Sequence, residues 1–360
     1  MDLGPTPNPS SPWKLVNFTM SAVIVALTFY MLVVGQRLFL PLIIAIVVWF
    51  LINVLANGFG RIRVAGWGIP RPLCFVAAIM VFFGAAVVII QFISLSLNDL
   101  GSVGRVYEAN LRAYWASLPF AENVPSDSYV QVLLDWFDIS AFVTTTALTF
   151  TGLAADSVLI LIYVGFLLYE QGNFDSKLSA LISNEEQEKR ARRIITRIRE
   201  DIQKYISIKT FISALTGAVC YVIMRVLGVD FPEIWAILIF LLNFIPTVGS
   251  IIATAFPTLI ALAQSPDGFY LALLVLLFVG TVQMTFGNIL EPRLMGTSLN
   301  LSPVVILFNL ALWGYIWGVA GMFLCVPFLI ITTIVLSHFP KTRPVAILLS
   351  SNGQVDFADD

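Results

Sequence analysis

Uncharged apolar stretches recur along this chain at or near 20 residues, about the length a helix needs to cross a hydrocarbon core of about 30 Å. Eight candidates stand out: residues 16–34, 38–55, 73–97, 153–170, 211–228, 234–263, 269–290 and 301–337. Only Gly35, Gln36 and Arg37 separate the first two, so they are expected to form a helical hairpin. The last run is too long for one simple span. The pattern predicts an all-α integral membrane protein of about eight transmembrane helices, with broken or re-entrant helical elements in the C-terminal half.

Lys and Arg are retained on the cytoplasmic side of bacterial inner-membrane proteins, and here they collect in four places. Lys14 is the first. Arg61, Arg63 and Arg71 follow, then a cluster from Lys189 through Arg190, Arg192, Arg193, Arg197, Arg199 and Lys204 to Lys209, and last Lys341 and Arg343. Eight crossings put all four groups, and both termini, in the cytoplasm. A long excursion over 98–151 then falls outside, where its acids outnumber Arg105 and Arg112. Its mixture of Trp, Tyr, Leu and Val with polar residues suggests amphipathic helices on the membrane face. The resulting plan is a flexible tail (1–15), three spans (16–97), the excursion, a fourth span (152–170), a basic cytoplasmic helix (171–210), a transport core (211–338) and a tail (339–360).

Within the basic segment, Ala191, Ile194, Ile195, Ile198, Ile202, Tyr205 and Ile206 share one helical stripe. Glu185 with Lys189, Glu186 with Arg190 and Glu188 with Arg192 are spaced four apart, acid first, the favourable order for helix pairs. Such a helix lies on the anionic inner leaflet or couples motion between two membrane halves, or is simply a solvated cytoplasmic extension.

Composition agrees with lipid as the solvent: 58% of residues are hydrophobic, 12% are charged, and the mean hydropathy is +0.90. A net charge of -2 argues against a nucleic-acid partner. Cys74, Cys220 and Cys325 lie inside apolar runs without paired or metal-ligand spacing, and are read as small core hydrophobes. The proline-rich start, with a single positive charge, is expected to be a tail and not a signal peptide.

Breaks in membrane helices point to function, because freed peptide groups need protein or water to satisfy them. One break falls in Asn243-Phe244-Ile245-Pro246-Thr247-Val248-Gly249-Ser250, where Pro246 removes a donor and Gly249 permits a sharp turn. Another falls in Trp313-Gly314-Tyr315-Ile316-Trp317-Gly318-Val319-Ala320-Gly321, where Gly318 and Gly321 are candidate pathway residues. A proline follows each, Pro257 and Pro327, within the loosely matching stretches FPTLI and VPFLI, which suggests a weak internal repeat. Between the breaks lies Asn288-Ile289-Leu290-Glu291-Pro292-Arg293-Leu294-Met295-Gly296. Glu291 is expected to titrate or bind a cation, with Arg293 holding it ionised or meeting substrate; the plainer alternative is a salt bridge that fixes the turn of Pro292 and Gly296.

NFIPTVG at 243–249, GNILEPRLMG at 287–296 and LNLSPVVILFNLALWGYIWGVAGMFLCVP at 299–327 together resemble the autoinducer-2 exporter family, also called PerM-like permeases. The likeness covers nearly the whole chain, and its third motif adds Ser302 and Pro303 to the candidate pathway residues. It implies about eight spans with re-entrant elements, a homo-oligomer (a pentamer) and an elevator-like movement. It further implies export of a small furanone-type signal, or in some members exchange of sodium or lithium for protons.

The implied partners are a small-molecule substrate, membrane lipid, and Na+ or H+. No Walker loop, nucleotide-binding glycine motif or metal cluster occurs, and the single histidine, His338, sits at the end of the last run, so no enzyme and no cofactor are expected. Uphill transport would then draw on an ion gradient or the membrane potential. The rival readings are a Na+(Li+)/H+ antiporter and a non-transporting membrane scaffold.

Overall fold

Lipid offers the backbone no hydrogen bonds, and the apolar runs satisfy themselves as helices. The computed structural model describes residues 11–61, 63–64, 67–116, 157–296 and 300–354. Helices α1 (Ser11–Val34) and α2 (Gln36–Gly60) form the predicted hairpin about Gly35. A two-residue antiparallel pair, Arg63–Val64 with Trp67–Gly68, lies in the connection to α3 and leaves the all-α class unchanged.

Helix α3 (Arg71–Ala116) has 46 residues, which at 1.5 Å each makes it about 69 Å long, more than twice the hydrocarbon thickness. The sequence ends a span near 97 and begins the excursion there; instead the helix continues. Tyr107 is buried on this extension, with Val103 and Leu111 packed against the same core as Trp235, Ala261 and Val275. Its hydroxyl donates to Asp230 Oδ2 at 2.7 Å, and Asn110 donates to the carbonyls of Ala263 and Gln264. Burial and the Asp230 carboxylate push the Tyr107 phenol far above its ordinary range, so it stays a donor. The rest of the excursion, 117–151, lies outside the described residues.

Helix α4 (Ser157–Glu170) meets α5 (Phe174–Leu181) at a bend of 68°. Trp49 of α2 braces that bend by donating its indole N–H to Gln171 Oε1 at 3.0 Å.

The basic segment and the next span form one helix, α6 (Glu185–Leu227), unbroken through residue 210. Asn184 caps it, accepting from the N–H groups of Glu186 and Gln187. Glu185–Lys189 and Glu188–Arg192 pair as their spacing predicts. The apolar stripe faces protein: Ile202, Tyr205 and Ile206 are buried with Phe50 of α2, and Ile194 and Ile198 pack onto the same cluster.

The long run 234–263 folds back on itself. Helices α7 (Pro232–Leu242) and α8 (Val248–Ala263) form a hairpin whose two ends meet, since Asp230 N–H donates to Gln264 Oε1 at 3.0 Å. Helix α9 (Phe269–Thr285), a π-helical turn (Phe286–Leu290) and α10 (Glu291–Met295) then make one stretch of 27 residues.

Helix α11 (Pro303–Ser337) also turns back, at Trp317 (φ -129°, ψ 17°) and Gly318 (φ 60°, ψ -141°). Asn309 donates to the carbonyl of Cys325, 16 residues on, a separation that would be about 24 Å in a straight helix. Both ends of this hairpin lie beside α12 (Arg343–Leu349): Ser302 N–H donates to Leu349 O at the start, and the Thr342 hydroxyl donates to Leu336 O at the finish.

Five helices among the described residues are long and apolar enough to cross a membrane, six when the bent α4–α5 pair is one span. One of the five is α11. The two runs that the sequence marks as broken are hairpins, and the described residues do not confirm the expected count of about eight spans.

Candidate functional site

The first hairpin owes its shape to a few residues at its tip. Asn243, buried at the end of α7, donates its side-chain amide to Ser213 Oγ at 3.0 Å, fixing the tip to α6. Pro246 has no N–H, and its carbonyl accepts from Val248 N–H at 2.6 Å across Thr247, whose backbone stands at φ 57°, ψ -59°. This is a γ-turn of the strained hand, rare for any residue and rarer for a β-branched one. The Thr247 hydroxyl donates to the same carbonyl at 2.7 Å. Gly249 then lies against Leu242, where a Cβ would come within 1.8 Å of the carbonyl oxygen.

The strain at Thr247 gives a direct expectation. Glycine ordinarily destabilises relative to alanine, but a positive φ of this kind costs an L-residue about 1–3 kcal/mol. Thr247→Gly should therefore unfold at a higher temperature than Thr247→Ala in detergent. The usual order of the two would show that the tip relaxes without strain.

A cavity of about 870 Å³ opens between this tip, α9 and the π-helical turn. Asn243, Pro246, Thr247, Asn288 and Glu291 line it together with Lys209 of α6. Leu273, Leu276 and Met284 give it apolar walls. At its charged end Lys209 Nζ donates to both carboxylate oxygens of Glu291, at 2.6 and 2.7 Å. Lys209 is 4% exposed and the Glu291 side chain 17%, so the lysine is withdrawn from solvent and the carboxylate partly so. The π-helical turn widens the helix just before Glu291 and shifts the faces that Asn288 and Glu291 present.

Gln283 also lines the cavity, is 5% exposed, and has neither amide atom hydrogen-bonded among the described residues. The Tyr205 hydroxyl, one turn before Lys209, is buried in the same unpartnered state. Buried groups of this kind cost about 1–3 kcal/mol each while unpaired, a deficit that a hydrogen-bonding ligand or water removes. A mostly apolar, half-open cavity with a few convergent polar groups and one paired charge suits a small polar solute.

The predicted residues thus divide. Asn243, Pro246, Asn288 and Glu291 converge on the cavity, and Gly249 stands behind it as the close contact that shapes the tip. Arg293 is exposed, and the partner of Glu291 is Lys209, because side chains two apart on a helix do not face each other. Pro292 opens α10 and Gly296 ends it at φ 61°, ψ -148°, a conformation that favours glycine.

Ser302 and Pro303 begin the second hairpin, and Gly318 and Gly321 form its turn, away from the cavity. A Cβ on Gly321 would lie 1.9 Å from the Trp313 carbonyl, the counterpart of Gly249 against Leu242. The two hairpins meet near their tips: Phe244 stacks on Phe323 with centroids 4.6 Å apart, and Ile245 shares a core with Leu310 and Val326. Trp317 ties the second turn to α1 by donating to Leu32 O at 3.0 Å.

Sequence reasoning missed Lys209, Gln283 and Thr247 as cavity residues. Lys209 had a usable signal. It falls three and four residues beyond Ile206 and Tyr205, on the buried stripe and not on the charged face of α6.

Among known proteins, the family described as AI-2E family transporter matches residues 20–341. The AI-2 transport protein TqsA of Escherichia coli (strain K12) is 32% identical over 320 residues, covering 88% of this chain and 90% of that protein. YhhT of the same strain, named for an inferred role in transport, is 26% identical over 96% of both chains. A Borreliella burgdorferi protein named in the same way is 28% identical over 95% of this chain and 92% of its own length.

Proposed function

Since this chain belongs to the AI-2E transporter family and is a multi-pass membrane transporter, we propose that it carries a small polar molecule through the cavity beside the first hairpin. Autoinducer-2 is the leading substrate, by analogy with TqsA. The observation that carries this reading is a cavity closed at one end by the buried Lys209–Glu291 pair and walled at another by a strained hairpin tip. A polyhydroxyl solute can accept from Lys209 and donate to Glu291, exchanging their mutual bond for bonds to itself.

The movement we propose is elevator-like alternating access, with the hairpins and α9 shifting against α2 and α3. Its energy comes from an ion gradient or the membrane potential. In this reading α1 crosses beside α2, α3, the bent α4–α5 pair, α6 and the α9–α10 stretch, while α11 is a hairpin, so the crossings are even in number. Both termini then share one side, and the retained basic residues make that side the cytoplasm of an inner membrane. Assembly as a homo-oligomer, a pentamer by family resemblance, belongs to the same proposal and is tested by the mass of the solubilised particle.

One observation favours a second reading, cation/proton exchange: Glu291 is the sole carboxylate among the cavity-lining residues, and its counter-ion is a lysine that a metal cation could displace. Proteoliposomes decide between the two. Saturable flux of labelled autoinducer-2, lost in Glu291→Gln, supports the leading reading. Proton flux driven by sodium or lithium, with no autoinducer-2 movement, replaces it with the second. Flux of neither under any gradient leaves a scaffold and sinks both.

A further inference from the structure

A second cavity, of about 810 Å³, lies where the end of α2, the start of α3 and the middle of α6 come together. Arg61 and Arg71 both line it, with Asn57, Gln203 and Ser207 as neutral hydrogen-bonding groups. Among the described residues no carboxylate is in ion-pair contact with either arginine. Elsewhere on α6, Lys209 pairs with Glu291, Arg192 with Asp175 and Glu188, and Arg197 with Asp201.

Retention of positive charge on one side of the membrane explains arginine in this connection, but not a cavity between two unneutralised guanidinium groups. Gly58 and Gly60 line it beside open space: a methyl group added at either would meet nothing within 4 Å. Just past Arg71, α3 turns Leu73, Val76 and Met80 outward, each more than half exposed. A polar, basic cavity thus adjoins an apolar face that lipid must cover.

We propose that this cavity binds the phosphate of an anionic phospholipid headgroup, held by Arg61 and Arg71, with the acyl chains lying along the outward face of α3. Guanidinium matches phosphate in charge and geometry, offering paired N–H donors to paired oxygens. Basic cavities between membrane helices at the headgroup level take such lipids. The bound phosphate bridges the α2–α3 hairpin to α6 only two residues from Lys209, so the lipid holds together the elements that flank the transport cavity. Free phosphate carries the same chemistry, and the test separates the two sources.

The experiment uses the purified full-length chain in neutral detergent and reads its thermal unfolding with phosphatidylglycerol, with phosphatidylcholine, or with inorganic phosphate. Phosphatidylglycerol should raise the unfolding temperature by several degrees and the other two should not. The rise should vanish in Arg61→Gln/Arg71→Gln. It should vanish equally in Gly58→Leu, which fills the cavity, keeps both charges and places leucine in a helix that accepts it, so a misfolded double variant does not end the test. An equal rise with phosphatidylcholine, or an undiminished rise in both variants, overturns the proposal. A full rise with inorganic phosphate overturns the lipid and leaves an ion site, and no rise with any of the three rejects the site altogether.

Discussion

Replacing Lys209 with alanine is expected to abolish transport and to destabilise the protein by about 3–5 kcal/mol, the cost of leaving one member of a buried ion pair uncompensated. Glu291 is then left with its carboxylate facing an apolar enclosure, without the donor that now holds both oxygens. The double variant Lys209→Met/Glu291→Leu removes both charges, and apolar replacements of similar volume are often neutral or stabilising. It should recover most of the lost stability and none of the transport. Thermal unfolding in detergent and flux in proteoliposomes read the two effects separately. A Lys209→Ala protein that transports at the normal rate would remove the ion pair from the mechanism. Arg293→Ala is the matched control: its side chain is exposed, and a small effect is expected.

Gly249→Ala should be nearly as damaging, for a steric reason. The added methyl would lie 1.8 Å from the carbonyl oxygen of Leu242 and 2.8 Å from its carbon, and backbone cannot swing aside as a flexible side chain does. The expected loss is at or above the upper end of the about 1–3 kcal/mol that overpacking usually costs, because α7 and α8 must separate at the tip. Gly321→Ala is expected to behave alike in the second hairpin, where the obstacle is the Trp313 carbonyl at 1.9 Å. Gly280→Ala provides the contrast. Its methyl would meet only Thr254 Cγ2 at 3.8 Å, and in a helix interior alanine is favoured over glycine by about 1 kcal/mol. Circular dichroism melts of the three variants test this, and equal stability for Gly249→Ala and Gly280→Ala would refute the tight tip.

Much of the fold was legible because lipid imposes a coarse rule: apolar length becomes helix. The positions of both breaks could be read from Pro246, Gly249, Gly318 and Gly321, since these residues either remove a donor or allow a close approach. Whether a broken run crosses or folds back could not be read. That depends on contacts between the two halves, such as Asn309 with Cys325 and Gly249 with Leu242, and hydropathy is the same in either case. The extension of α3 was obscured for a related reason. Its exposed side is polar enough to resemble a loop, and the buried side is justified by partners such as Asp230, Trp235 and Ala263, more than a hundred residues away.

Within the site, Asn243, Asn288 and Glu291 were found because polar groups beside a helix break in lipid are costly unless used. Lys209 was lost in a crowd of basic residues whose number suggested a single explanation. Gln283 gave no signal, being one neutral amide in an apolar helix with no break beside it. Its place on the cavity emerges only when the cavity is seen, where its amide is unpaired among the described residues.

The closed Lys209–Glu291 pair has an electrical consequence. Opposite unit charges in contact sum to zero, so in the proposed elevator movement the empty pair passes through the membrane field without work being done on it in either direction. With a neutral passenger the loaded carrier is also uncharged, and the cycle is blind to voltage. A bound monovalent cation changes this: the carrier becomes singly positive, and each 100 mV across its path contributes about 2.3 kcal/mol to loading or release. Current recorded during turnover therefore identifies the cargo's charge before its chemistry is known.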